Sequence, residues 1–314
     1  MTSSAITVIV PGYDVGPYAQ EALDSLRAQT RTDWTAILVD DASNDGTGAL
    51  FDAAAASDAR FRVVRHTARQ GLSAARNTGL DLVETPLVGF LDADDLYTPD
   101  ALARLAGVLE ETGSDFAVGA YVRLRPDAEG AYHPGIVQPW VAAATDPERR
   151  ATTIDAHPEA SGNIVAWSKV SRTGFWREQG LRFPVGRLYE DQIVAQRMYS
   201  AARSFDVVPD VVVHWRERAD GSSITQTKAA LPVLREYLDA MAAGVAVLAA
   251  AGHDDAVRAR VRLVQDMDLP SLVEIATTHG DPAYRSALGD FTRDLVAQGP
   301  GLPLSAAAET ASRW

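Results

Sequence analysis

The chain of 314 residues contains no cysteine, which excludes disulfides, thiolate metal sites and thiol nucleophiles and leaves the redox compartment open. It has no apolar run of about 18 residues, the length of a membrane-spanning helix, and no basic stretch running into a long apolar one at its start. Lysine is almost missing, with only Lys169 and Lys228 among 29 basic residues, a compositional bias that says little about mechanism. The formal net charge of -13 and the lack of any Lys/Arg-rich run exclude the basic footprint of a nucleic-acid binder. What is present, 46% hydrophobic and 23% charged residues, is ordinary for a soluble protein of one large domain or two modest ones. A cytoplasmic protein is expected, with attachment to a membrane surface left open.

Within the first 125 residues, short β-branched runs at 6–10, 36–39, 61–64, 87–91 and 116–124 alternate with helical patterns. Pro17 opens one helix that carries Ala19, Ala22, Leu23 and Leu26 on a single face; others run over 47–56, 73–82 and 99–109. This alternation predicts an α/β fold, a mainly parallel central sheet with helices on both faces, whose ligands bind beyond the carboxyl ends of the strands. Residues 125–159 carry five prolines and read as loops, part of a lid or acceptor wall. Order returns at 163–170, in a helix over 190–202 and in apolar runs at 205–208 and 211–215. Beyond Lys228 the pattern is helical. Leu231, Leu234, Leu238, Met241, Val245 and Leu248 alternate spacings of three and four, a seam that either docks on the chain's own body or forms a homodimer. The expected organisation is an α/β domain over 1–228, a helical extension over 229–298 and a frayed tail over 299–314.

Residues 87–95 read Leu-Val-Gly-Phe-Leu-Asp-Ala-Asp-Asp, an apolar strand ending in Asp92, Asp94 and Asp95. Two carboxylates crowded at a strand end call for a cation. A hard divalent ion, Mg²⁺ or Mn²⁺, takes few protein carboxylates and completes its shell with substrate phosphates. The alternative is a surface loop leading to a helix near Pro99, with Thr98 as its cap. A second acidic segment, Asp40 and Asp41 followed by Ser43-Asn44-Asp45-Gly46, is explained from Ser43 onward by an Asx-turn and helix cap, which leaves Asp41 free to accept the N–H of a nucleobase. A third, from Gly71 to Gly79, starts a helix with Ser73 as its cap and Arg76 in its first turn. Helix N-termini and Arg favour anions, so Arg76 meets either a diphosphate or a carboxylate such as Asp92.

These pieces occur in a recognisable order: Pro11-x-Tyr13 after the first strand, Val-Asp-Asp-x-Ser-x-Asp-Gly-Thr after the second, Gly-Leu-Ser-x-Ala-Arg-Asn-x-Gly, Phe-Leu-Asp-Ala-Asp-Asp, and Tyr189-Glu190-Asp191. Together they resemble the family 2 glycosyltransferases of GT-A fold, over roughly residues 5–225. The resemblance implies an inverting transfer from a nucleotide-diphosphate sugar, a UDP-sugar before a dTDP- or GDP-sugar, with a divalent cation, onto a hydroxyl acceptor in bacterial glycan or glycoconjugate assembly. It implies that Pro11, Tyr13 and Asp14 shape the nucleoside pocket, Asp41 meets the base, and Arg76 lies near the nucleotide. Asp92 would hold ribose or metal-bound water, Asp94 would ligate the metal, and Asp191 beside Glu190 would be the general base. Arg216 and Arg218 precede a segment, 219–225, that resembles the family's closing element. The chain departs from the pattern at Asp14, where Asn is common, at Gly12, and at Ala42, where Gly is frequent. The Gln-x-x-Arg-Trp element of processive members lacks its Gln here, so a non-processive enzyme is expected.

The chemistry agrees. Departure of a diphosphate needs its developing charge neutralised, which a cation on Asp94 with Arg76 supplies. The acceptor hydroxyl needs a base, and Asp191 at a helix start is favoured as the ionised carboxylate. His214, ending an apolar run, either completes the metal shell, touches phosphate, or is structural. Trp167 and Lys169 fall where acceptor contacts are expected, with core packing the plainer role for Trp167. Two rivals use similar residues. A nucleotidyltransferase would carry a Gly-rich basic loop after the first strand, which Val10-Pro11-Gly12-Tyr13 is not. A non-catalytic sugar-nucleotide-binding protein would lack the base.

Overall fold

The computed structural model describes residues 6–219 and 228–314. The chain divides into two compact units. The first comprises residues 1–153, 165–186 and 201–220; the second comprises 154–164, 187–200 and 221–314. The second thus takes in two segments, 154–164 and 187–200, that the sequence pattern assigns to the first domain.

The first unit is a sheet flanked by helices. Its strands are β1 (Ile6–Gly12), β2 (Trp34–Asp40), β3 (Phe61–Arg65), β4 (Leu87–Phe90), β5 (Leu96–Tyr97), β6 (Phe116–Pro126), β7 (Tyr132–Pro134), β8 (Arg149–Thr152), β9 (Lys169–Arg172) and β10 (Phe205–Arg216). Its helices are α1 (Gly16–Arg27), α2 (Thr47–Ser57), α3 (Leu72–Asp81), α4 (Ala101–Thr112), α5 (Pro139–Thr145) and α6 (Thr173–Glu178). The strand order is β3-β2-β1-β4-β9-β6-β10-β5. β3, β2, β1 and β4 are parallel neighbours. β1 is buried along its whole length, as a strand covered on both faces must be, and α1 buries the expected face of Ala19, Ala22, Leu23 and Leu26. The chain winds outward from β1 to β3 and then crosses back to lay β4 on the other side of β1. This reversal opens a crevice beyond the carboxyl ends of β1 and β4, where ligands bind in such sheets.

The sheet is mixed past that point, because β9 runs antiparallel between β4 and β6. The two apolar runs at 205–208 and 211–215 are one strand, β10, with a register shift between Val208 and Val211: Pro209 and Asp210 bulge the ladder without ending it. The proline-bearing stretch expected as loop holds β7, α5 and β8, short elements whose weak periodicity hid them. Thr98 is not the cap of α4. That helix starts at Ala101, and the Thr98 hydroxyl donates to the Val211 carbonyl at 2.8 Å.

The second unit contains α7 (Asp191–Ala201), α8 (Leu231–Ala250), α9 (Asp254–Leu263), α10 (Leu269–Thr278), α11 (Pro282–Gln298) and α12 (Ala306–Ala311), with a π-helical turn at Val264–Asp268. The α8 seam residues Leu234, Leu238, Met241, Val245 and Leu248 are buried within the chain, where α8 packs on α9 and α11. The chain's own helices therefore fill the seam offered for a homodimer. The frayed tail is also corrected: Ser305 caps α12 by accepting the Ala308 N–H, and Ala308 and Ala311 are buried. An alanine-rich run behind a serine has both propensity and cap. Among the described residues no helix is long and apolar enough to cross a membrane.

Candidate active site

The carboxyl ends of β2, β1 and β4 lie side by side in the first unit. Asp41 N–H bonds to the Gly12 carbonyl at 2.9 Å, and Ala93 N–H to the Pro11 carbonyl at 3.3 Å, so the acidic loops after β2 and β4 flank the end of β1. The sheet thereby gathers Pro11, Gly12, Tyr13, Asp14, Asp41, Asp92 and Asp94 on one edge.

The loops after β1 and β2 are laced together. Asp14 N–H donates to Ser43 Oγ (3.1 Å) and Asn44 N–H to Asp14 Oδ1 (2.9 Å). Val15 N–H donates to Thr47 Oγ1 (2.9 Å) and Gly16 N–H to Asp45 Oδ2 (2.7 Å). Burial acts to raise the Asp45 carboxyl, but the Thr47 hydroxyl and N–H and the Gly16 N–H outweigh it and hold the group below its usual range. The departures from the family pattern fall where the backbone is unusual or crowded. Asp14 (φ 47°) and Ala42 (φ 63°) both occupy the left-handed region, which suits Asn or Gly and is tolerated by Asp. At Gly12 a Cβ would stand 2.9 Å from the Phe51 ring, so only glycine fits beneath that phenyl group. Tyr13 lies under Arg69, whose guanidinium is 4.0 Å from the ring centroid.

Asp41 is not free. Its Oδ1 bonds to His66 Nδ1 (2.6 Å) and to the Gln70 N–H (2.8 Å), its Oδ2 accepts the Gly71 N–H (2.7 Å), and the His66 Nε2 reaches Thr78 Oγ1 at 2.9 Å. The anion received at the start of α3 is thus a carboxylate of the protein itself. This also corrects Ser73, which lies buried inside α3 behind a Gly71 cap with φ of 90°. His66 is a residue that the sequence motifs missed; a lone histidine after a strand gives no signal of its own.

Arg76, almost wholly buried, donates to Asp92 Oδ1 at 2.7 Å, so of its two expected partners it meets the carboxylate. Arg218 Nε donates to Asp94 Oδ2 at 2.8 Å. Arg216 places its Nε on the Asp94 carbonyl (2.8 Å), its Nη2 on Glu21 (2.7 Å) and its backbone N–H on Asp95 Oδ1 (2.7 Å). Its guanidinium stacks near Tyr132 and Tyr18, 4.4 and 5.3 Å from their centroids. Burial raises the Asp94 carboxyl, Arg218 opposes this and Asp92 adds to it. Burial, with repulsion from Asp94 and Asp92, raises Asp95 well above the carboxylate range. Asp95, 1% exposed, therefore serves the fold by holding Arg216, a role the motif did not suggest.

Burial lowers His214, leaving a neutral imidazole at neutral pH. It lies on β10 opposite Leu96. Among the described residues no three His, Asp or Glu side chains gather closely enough to hold a metal, so Asp92, Asp94 and His214 do not form a ready-made cage. Asp92 and Asp94 alone are a hard oxygen pair whose charge two arginines now balance, and this donor set fits an ion of which substrate phosphates complete the shell. Trp167 packs edge-on to Tyr121 at 4.8 Å and belongs to the core; Lys169 is buried, with its Nζ on the Val165 carbonyl at 2.6 Å. Residues 220–227, most of the expected closing segment, lie outside the described residues.

Glu190 and Asp191 belong to the second unit. Asp191 is the first residue of α7, with Glu190 buried before it.

Residues 7–181 match the model of glycosyl transferase family 2, and the chain belongs to that family of transferases. The glycosyltransferase GlyA of Streptococcus pneumoniae is 28% identical over 256 residues, 81% of this chain and 36% of GlyA; the chain spans about a third of that relative's length. In the solved structures, Staphylococcus aureus TarS in complex with UDP-GlcNAc superposes with a TM-score of 0.75 at 20% identity, covering 93% of this chain and 81% of TarS. The mannosyltransferase PcManGT from Pyrobaculum calidifontis, in complex with GDP-Man and Mn²⁺, superposes with a TM-score of 0.55 at 19% identity, over 100% of this chain and 87% of PcManGT. These likenesses establish the GT-A fold with its helical C-terminal region.

Proposed function

We propose that the protein is an inverting, non-processive glycosyltransferase that moves a sugar from a nucleotide-diphosphate sugar, UDP before GDP or dTDP, to a hydroxyl acceptor in bacterial glycan or glycoconjugate assembly. The observation that carries this reading is the pair Asp92 and Asp94 at the sheet's reversal point, each balanced by a guanidinium in a family 2 chain. TarS with UDP-GlcNAc and PcManGT with GDP-Man and Mn²⁺ support the donor class and the cation.

Asp94 and Asp92 would hold Mn²⁺ or Mg²⁺, which when bound supplies positive charge to the departing diphosphate. Arg76 and Arg218 have the charge to exchange a carboxylate for phosphate oxygens, and Arg216 keeps Asp94 in place through its carbonyl. Asp41 has about four lone-pair sites, three of them occupied, so one remains for a base N–H. Pro11, Tyr13 and Asp14 border the nucleoside. In the transfer step the acceptor O–H gives its proton to the Asp191 carboxylate, its oxygen bonds to the anomeric carbon, and the carbon–oxygen bond to the diphosphate breaks with the electron pair leaving on that oxygen. The configuration inverts.

The test is nucleoside diphosphate release from a panel of UDP-, dTDP- and GDP-sugars, for wild type and Asp191→Asn. Release by the wild type and its loss in the variant support the reading. Binding without release by the wild type would favour a non-catalytic sugar-nucleotide-binding protein.

A further inference from the structure

The segment that leads into Asp191 is strained and clamped within the second unit. Tyr189 has φ of 57°, a conformation that strains a bulky residue and persists only where the surroundings impose it. Those surroundings are the C-terminal helices. The Tyr189 ring packs on that of Tyr237 in α8, with centroids 4.5 Å apart. The Tyr237 hydroxyl donates to Asp268, the last residue of the π-helical turn, and Lys228 Nζ lies 3.9 Å from the centroid of the Tyr237 ring. Burial and the Asp268 charge push the Tyr237 phenol well above its usual range, so it stays a donor. Glu236, the neighbour of Tyr237, receives the Leu188 N–H at 3.4 Å and Arg187 Nη1 at 3.2 Å.

The chain is held on the far side of Asp191 as well. Gln192 Oε1 accepts from buried Arg260 of α9 at 2.8 Å, and a Cβ on Gly244 of α8 would stand 3.4 Å from the Gln192 carbonyl oxygen. Residues 187–189 and 192 are thus fixed by α8 and α9, and Asp268 of the π-helical turn, a helix irregularity that recurs at functional sites, holds Tyr237 of α8. None of these contacts is used by the transfer step itself.

We infer that Tyr189, braced by Tyr237 and Asp268, is a positioning residue for Asp191, and that the C-terminal helices are the scaffold that aims this carboxylate. The inference rests on Asp191 being the base. Small errors in aim are costly, since a displacement of about 1 Å at a reacting group lowers rates by about a hundredfold. The Tyr189 hydroxyl is buried and has no hydrogen-bond partner among the described residues, so the ring and the backbone turn carry the role.

The test uses the full chain with the sugar nucleotide of the panel that the wild type turns over, water serving as acceptor. Tyr189→Gly and Tyr237→Phe should lower kcat about tenfold or more while the donor KM stays within about twofold. Tyr189→Phe, which keeps the ring, should retain wild-type kcat. Where Tyr189→Gly fails to fold, Glu236→Ala, which removes only the acceptor of Leu188 and Arg187, carries the same expectation in smaller measure. Wild-type kcat in Tyr189→Gly, Tyr237→Phe and Glu236→Ala, beside an inactive Asp191→Asn, would overturn the positioning role and leave the base intact. Full turnover by Asp191→Asn would overturn the base and this inference with it.

Discussion

Arg218 Nε lies 2.8 Å from Asp94 Oδ2, an ion pair in which each side chain is only 17% exposed. Arg76 and Asp92 form a second such pair at 2.7 Å. Three acids so close in sequence, Asp92, Asp94 and Asp95, could not share this pocket without positive charge, and the protein supplies it with the guanidinium groups of Arg76 and Arg218.

Asp95→Asn should stabilise the protein at neutral pH. The Asp95 carboxyl is raised well above 3.8, first by burial and then by Asp94 and Asp92. The native state therefore binds this proton more tightly than the unfolded state, and its stabilising contribution is complete below about pH 3.8 and lost as pH rises through the folded value. An asparagine keeps the acceptor for the Arg216 N–H without the charge. Urea denaturation should show a gain at pH 7 that shrinks toward pH 4; an equal loss at both pH values would contradict it.

Asp41→Asn should destabilise the protein before any nucleotide is added. The carboxamide NH₂ cannot accept from Gln70, Gly71 and His66 together, and a donor facing donors costs about 1–3 kcal/mol. Thermal unfolding of the ligand-free variant checks this. An unchanged midpoint with weakened nucleotide binding would assign Asp41 to the base alone.

Ala42→Gly should be neutral to stabilising. Relief of a left-handed φ of 63° is worth roughly 1–2 kcal/mol, against about 0.4–1 kcal/mol of added unfolded-chain entropy. The net, from about 0 to about 1.6 kcal/mol, should leave the thermal midpoint unchanged or raise it by a few degrees, whereas a clear fall would show that the alanine methyl packs productively.

The acidic edge was legible because an apolar run that ends in Asp40-Asp41 or Asp92-Ala93-Asp94 marks a buried strand delivering carboxylates to its open end, and the alternation before Phe116 leaves little choice of layout. What escaped was the pairing. Nothing local to His66 says that it will hold Asp41, and nothing in Thr98 reveals that its hydroxyl is taken by Val211, 113 positions away in the chain. β5, β7 and β8, of two to four residues, are too short for a period to register. Ser73 misled because serine before a helical run is a good cap in isolation, whereas here Gly71 turns the chain and a carboxylate following β2 receives the N–H groups. The Tyr189 strain was invisible, since nothing beside it in sequence marks a tyrosine that takes a positive φ and packs on Tyr237 of α8.

Whether Asp94 and Asp92 grip a cation that in turn grips the diphosphate is decided by titration calorimetry of UDP with and without Mn²⁺, in wild type and Asp94→Ala. Mn²⁺ should tighten UDP binding to the wild type by about tenfold or more, about 1.4 kcal/mol, and have little effect on the variant. Equal tightening by Mn²⁺ in both proteins, or none in the wild type, would refute the cation site.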